Sequence, residues 1–208
     1  RDANTGGVFG AAVSSAAPAV GAVCPFVAAN VGAICTQSFI NANLGRKGLE
    51  LMKAGLDLDI ALRVQLDRDP YREYRQVIGI DRTRTYAFTG KNCVGWHGSL
   101  EGDDFATAGN MLVGRQVLEA VYTTLKHSKD GDLAEKLLNG LEAGQAAGGD
   151  KRGRQSAAIL IGSDRPQWHH NLRVDDNPNP VTELRRVYRA TLETVQRFHQ
   201  QFENLDDI

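Results

Sequence analysis

At 208 residues the chain is long enough to bury a substantial core, and one domain spanning 1–208 is the economical reading. Its 42% hydrophobic and 24% charged residues are ordinary globular composition, which excludes a disordered chain and a membrane-spanning bundle. With 24 Lys and Arg against 25 Asp and Glu there is no global field to gather nucleic acid or anionic lipid, so neither nucleic acid nor membrane is expected as a partner.

The chain opens on Arg1-Asp2-Ala3-Asn4-Thr5-Gly6-Gly7, a run suited to a hairpin turn because Asp, Asn and Gly tolerate tight-turn backbone angles. An apolar run of strand length, Val8 to Val13, follows it. A hairpin needs a strand on each side. The run is therefore either a tail leading into a first strand or the second half of a hairpin whose first strand lies upstream of Arg1, and we favour the second. That reading puts Val8 to Val13 near the middle of a sheet. The apolar stretch Ala11 to Ala29 is broken by Ser14, Ser15, Pro18, Gly21 and Pro25, so it does not read as a membrane anchor.

Val31 to Thr36 reads as a second buried strand, after an irregular stretch containing proline. Leu44 to Ala54 has helical spacing, with Gly55 as its stop, and a second helix capped by Asp57 or Asp59 ends before Pro70. Tyr74 to Ile80 and Thr85 to Thr89 read as strands, and Gly90 to Gly109 as a loop-rich segment. Helices are expected over Arg115 to Lys126 and Leu133 to Ala147, strands over Ser156 to Ile161 and Leu172 to Val174, and a final helix over about 181–203. Long apolar strands imply sheets covered on both faces, and helices arriving in adjacent pairs suit a helical hairpin laid over a sheet. The expectation is an α+β protein, a four-layer αββα sandwich, with a doubly wound parallel sheet as the competitor.

Common site motifs are absent. There is no Gly-x-Ser-x-Gly elbow, no His-Glu-x-x-His and no glycine-rich phosphate loop between strand and helix. His169 and His170 are adjacent and point apart on a strand, so no metal is expected, and no cofactor either. Cys24, Cys35 and Cys93 follow no zinc or redox spacing and read as reduced thiols of a cytoplasmic protein. Cys93 and His97 are close enough in sequence to form a Cys–His pair, although a loop cysteine is more often inert. The segment Glu142 to Ser156 is the richest in chemistry. A helix stops at a double glycine and returns through Asp150, Arg152, Arg154 and Gln155 into a buried strand. Glycines let backbone approach a ligand, and Arg and Gln offer planar donors; the competing reading is a solvated loop of local ion pairs.

The run Gln145-Ala-Ala-Gly-Gly-Asp-Lys-Arg-Gly-Arg-Gln-Ser156 resembles the signature of a bacterial and archaeal family, domain of unknown function 1028. Gly109-Asn110-Met111-Leu112, Leu172-Arg-Val-Asp-Asp176 with Pro178 and Pro180, and Val31-Gly-Ala33 leading to Thr36-Gln37 carry the same resemblance in order. It implies the N-terminal-nucleophile hydrolase fold, and a Thr, Ser or Cys nucleophile on a short strand ending at Arg1-Asp2. It also implies hydrolysis of an amide bond in a small-molecule or peptide-like substrate, with the α-amine of the first residue as base. By matched position the resemblance makes Ser15, Thr36, Gln37, Asn110, Asp150, Arg152, Arg154, Gln155 and Ser156 candidates for binding substrate or stabilising the oxyanion. The chain departs from the family pattern at Ala16-Ala17-Pro18 and at Trp96-His97-Gly98-Ser99. The alternative from another class is a non-catalytic ligand-binding or structural protein that retains the fold. A stripe on the last helix ending in Phe198 and Phe202 makes a homo-oligomer the expected assembly.

Overall fold

The apolar run after the first turn forms β1 (Phe9–Ser15), whose residues alternate in burial as a strand with two different faces does. The computed structural model describes every residue except 3, 4, 6, 129, 130, 166–168 and 202–208. Antiparallel to β1 runs β8 (Ser156–Gly162), from Phe9 opposite Gly162 to Ser15 opposite Ser156, and β9 (His170–Val174) pairs on its far side. A second sheet takes β2 (Pro25–Ala28), β3 (Gly32–Ser38), β4 (Arg75–Ile80) and β5 (Thr85–Thr89) in that order. β6 (Trp96–Glu101) and β7 (Ala106–Leu112) form a separate hairpin. Every strand pairing among the described residues is antiparallel, which removes the doubly wound parallel alternative.

The helices are α1 (Ala42–Lys53), α2 (Leu58–Asp67), α3 (Arg115–His127), α4 (Leu133–Ala146) and α5 (Pro180–Gln201). α1 and α2 lay Leu44, Leu58, Leu62 and Leu66 on Ile34 and Val77 of the second sheet. α4 and α5 lay Leu138, Leu184 and Tyr188 on Ile159 and Ile161 of β8. The other face of β1 puts Phe9 and Ala11 against Ala33 and Ile80 of the second sheet. Each fully buried leucine in these clusters contributes about 1.5–3 kcal/mol, so the pairs of helices fix the sheets from outside. The chain is thus a mixed α/β protein of antiparallel sheets and, among the described residues, five α-helices.

Three readings of the sequence are corrected. Gly90 to Gly109 is not mainly loop: it holds β6 and the start of β7, and Glu101 to Asp104 sits at their turn. Its glycines read as breakers in the sequence, yet Gly98 and Gly109 face each other across the ladder. Pro25 opens a strand, a position where the missing N–H costs nothing at a sheet edge. Asp57 occupies the N-cap position of α2 without a side-chain cap bond, while Asp59 turns to Arg84. Gly55 ends α1 at φ +95°, as its place after the last periodic residue requires.

Candidate functional site

β1 has β8 on one edge and, among the described residues, no strand on the other, so it lies at a sheet edge rather than near its middle. Along that open edge runs a cavity of about 580 Å3. Gly10 through Ser15 form one wall, Ala106 through Asn110 of β7 another, and α3 and α4 close it with Val117, Leu118 and Leu137. One end is fixed by Arg1, whose guanidinium donates to the backbone oxygens of Asp81 (2.9 Å) and Asp103 (3.0 Å) and pairs with Asp104 (2.8 Å). The Asp2 N–H donates to Val8 O at 3.1 Å, so the chain already lies antiparallel to the start of β1 there.

The polar end is built on a bulge. Gly98 pairs with Gly109 and Trp96 with Leu112, which leaves Asn110 and Met111 together opposite His97. Such a bulge re-aims side chains and occurs often beside sites. Met111 takes φ +54°, a left-handed conformation that a methionine adopts only when its surroundings force it. Backbone bonds supply that force: Met111 N donates to Val94 O (2.9 Å), and Lys151 N donates to Met111 O (2.9 Å). The loop after α4 is laid against the bulge by a bridge between Leu112 and Asp150 and by Val113 N on Gly149 O (3.1 Å). That loop can turn there because Gly148 (φ +118°) and Gly149 (φ +64°) adopt angles closed to side chains, with Gly149 N returning to Gly144 O.

Gln76 of β4 lies beneath the bulge and is 1% exposed. Its Nε2 donates toward Gly109 O (2.9 Å), Gly98 O (3.1 Å) and Thr89 Oγ1 (3.1 Å), and its Oε1 accepts from Asn110 Nδ2 (3.1 Å). Asp150 holds Arg152 through Nε (3.0 Å) and Nη2 (2.6 Å), which keeps the guanidinium charged and raises its pKa. The thiol of Cys24, fully buried and hydrogen-bonded to Cys35, has its pKa pushed well up, which leaves it neutral and weakly nucleophilic; both cysteines line the cavity.

The model of the family of unknown function DUF1028 matches residues 1–184. The chain belongs to this family. It is similar to a protein of Silicibacter pomeroyi, assigned to the same DUF1028 family and solved as a crystal structure, at 29% identity and a TM-score of 0.83, over 91% of this chain and 82% of that one. No curated protein matches. In this DUF1028 chain, two of the segments that carry the resemblance, Gly109 to Leu112 and Gln145 to Ser156, are the two that meet at the bulge.

Of the residues singled out from sequence, Ser15, Gln37, Asn110, Asp150 and Arg152 line the cavity. Thr36, Arg154, Gln155 and Ser156 do not. Thr36 is fully buried with Oγ1 unpartnered, because alternation along β3 sends it to the face opposite Gln37. Arg154 turns to Asn179 Oδ1 (3.2 Å) and Gln155 to Asp176 Oδ1 (3.2 Å), although Gln155 N donates to Ser15 O (3.0 Å). Ser156 donates to Ala17 O (2.6 Å) and accepts from Val20 N (3.1 Å), a bond pair that closes the loop after β1. Cys93 and His97 form no pair: Cys93 Sγ contacts Arg75 O, burial raises its pKa, and His97 Nδ1 faces Gly95 O. Sequence reasoning missed Gln76, whose signal was a lone amide heading the apolar run Val77-Ile78-Gly79-Ile80. Among the described residues no three His, Cys, Asp or Glu side chains gather as a metal site, and no helix is long and apolar enough to cross a membrane.

Proposed function

We propose that the protein is an amide-bond hydrolase of the N-terminal-nucleophile type, acting on a small or peptide-like amide, with the nucleophile on an extended segment preceding Arg1. The observation that carries this reading is the open edge of β1 lining a cavity that Ser15, Gln37, Asn110 and Arg152 also line. Continuing the antiparallel register from the Asp2–Val8 bond, about six further residues reach the level of Ser15. Backbone groups of Gly10, Ala12 and Ser14 would take up the pairing, since alternate residues address one edge of a strand. Gly10 and Ala12 are half-buried and Ser14 is exposed, so water reaches this edge, and an unpaired strand edge of this kind is a ready template for a further strand. The segment would deliver a hydroxyl or thiol, with its α-amine as base, beside side-chain amides able to steady an oxyanion. The stacking of α1 and α2, the second sheet, the first sheet, and α4 and α5 supports an αββα sandwich as the frame for that chemistry.

The test is N-terminal sequencing and intact mass of the natural full-length protein, followed by its crystal structure and turnover of an amide library. A mature chain beginning with Thr, Ser or Cys, lying along β1 and losing turnover when that residue becomes Ala, is the expected result. A first residue without hydroxyl or thiol defeats the hydrolase reading and leaves the ligand-binding alternative. A second copy is proposed to meet the exposed end of α5 at Leu192 and Phe198, with sedimentation as its check. Phe202 lies outside the described residues.

A further inference from the structure

The orientation of the Asn110 carboxamide is decided by chemistry rather than by which atom is labelled nitrogen. Gly98 O and Gly109 O can only accept, and both lie within 3.1 Å of the same end of Gln76. That end must be its NH2, since the reverse would press Oε1 against two carbonyl oxygens in a buried site. Oε1 therefore faces Asn110, and Asn110 must answer with its own NH2 at 3.1 Å. Asn110 is left with Oδ1 and one N–H, and no described residue takes up Oδ1. The bulge and the strained Met111 hold the residue at the cavity wall, so neither backbone nor side chain is free to turn.

We infer that Asn110 reads a carboxamide in the cavity, accepting the ligand's N–H on Oδ1, and that Gln76 is the positioning residue that makes it an acceptor. The inference rests on the proposed use of this cavity for substrate and narrows its class. A carboxylate of the same shape presents only lone pairs to Oδ1 and forgoes that bond, so Oδ1 favours an amide over the acid its hydrolysis would release. The acid product would be released more readily because it brings no N–H to Oδ1, the nitrogen having left with the amine or ammonia.

Binding, not turnover, tests this, so the result does not depend on the hydrolase reading. The full chain, 15N-labelled, is titrated with propionamide and with propionate, which has no N–H, while the side-chain NH2 resonances of Asn110 are followed. The amide is expected to shift them and to bind about tenfold more tightly than the acid, the worth of one well-placed hydrogen bond. In the wild type the Asn110 NH2 should also be protected from solvent exchange. Gln76→Met, similar in length but unable to fix the amide, should abolish that protection and bring the two affinities together. Equal binding of amide and acid by the wild type, binding of neither, or a preference that survives in folded Gln76→Met overturns the inference. Should Gln76→Met not fold, Asn110→Leu replaces it: loss of the preference supports the role, and retention sinks it.

Discussion

Two buried polar clusters show what separates support from a site in this protein. On the outer side of the first sheet, Arg185 of α5 is 9% exposed and spends its guanidinium on α4: Nε and Nη2 on Glu142 (2.6 and 2.9 Å), Nη1 on Glu135 (2.5 Å) and Nη2 on Asn139 (2.6 Å). Nearby, Tyr188 donates to Asp132 Oδ2 (2.6 Å), whose other oxygen caps α4 through Glu135 N (2.8 Å). These bonds end within the cluster, and their effect is to dock one helix on another. Under the bulge, Gln76 is buried more deeply still and fully engaged, but its chain of bonds ends at Asn110 with an acceptor turned to a cavity. A closed network fixes a structure; one left with an open valence at a cavity is able to bind.

The largest effect expected from that contrast is on stability at the closed cluster. Arg185→Ala leaves two carboxylates facing each other beside α5 and should cost about 2–3 kcal/mol in urea unfolding, below the usual figure for a fully buried pair because both glutamates are partly exposed. A loss under about 0.5 kcal/mol would place the cluster with ordinary surface ion pairs. Tyr188→Phe keeps the ring in the core and removes only the bond to a charged partner, for an expected loss of about 1.5–2 kcal/mol. Burial and then the Asp132 charge push the Tyr188 phenol upward, so this bond persists through the neutral range.

Next in size is a pH effect on the same side. His170 stacks edge-on to Tyr188 at 5.7 Å, and burial lowers its pKa from 6.5, with His169 lowering it and Asp132 opposing. A histidine that folds neutral binds its proton more readily unfolded, so its contribution is whole above pH 6.5. It declines as pH falls from there through the lowered folded value. His170→Phe should flatten this part of the stability profile; an unchanged slope between pH 7 and about 5 would reassign it to other groups. The smallest effect belongs to the cavity. Gln37→Ala should change unfolding free energy by less than about 0.5 kcal/mol, while lowering affinity for any amide probe that reaches the Ser15 end. A large destabilisation there would make Gln37 part of the closed kind of network.

Much of the framework was legible without coordinates. Thr85 to Thr89 and Arg115 onward carry their own periodicity, Gly55 and Gly148-Gly149 stop helices by their φ angles, and the resemblance of Gly109 to Leu112 and Gln145 to Ser156 to DUF1028 named the family. These are local properties: spacing, turn chemistry and short motifs act within a few residues and survive being read one at a time. The β6–β7 hairpin was lost in the sequence because its glycines make room for side chains that fold over them, Leu112 at Gly109 and, at Gly98, Trp96 with Leu118 of α3. The same reason divides the candidate residues. Asn110, Asp150 and Arg152 share the cavity because the bulge pairs with the loop after α4, whereas Arg154 and Gln155 turn to Asn179 and Asp176 ahead of α5 and Ser156 turns to the loop after β1. Sequence alone determined which segments carry polar chemistry and where the chain turns. Which of those side chains share a cavity, and which way an amide faces inside it, was decided by tertiary packing, because hydrogen-bond partners far apart in the chain fix those orientations together.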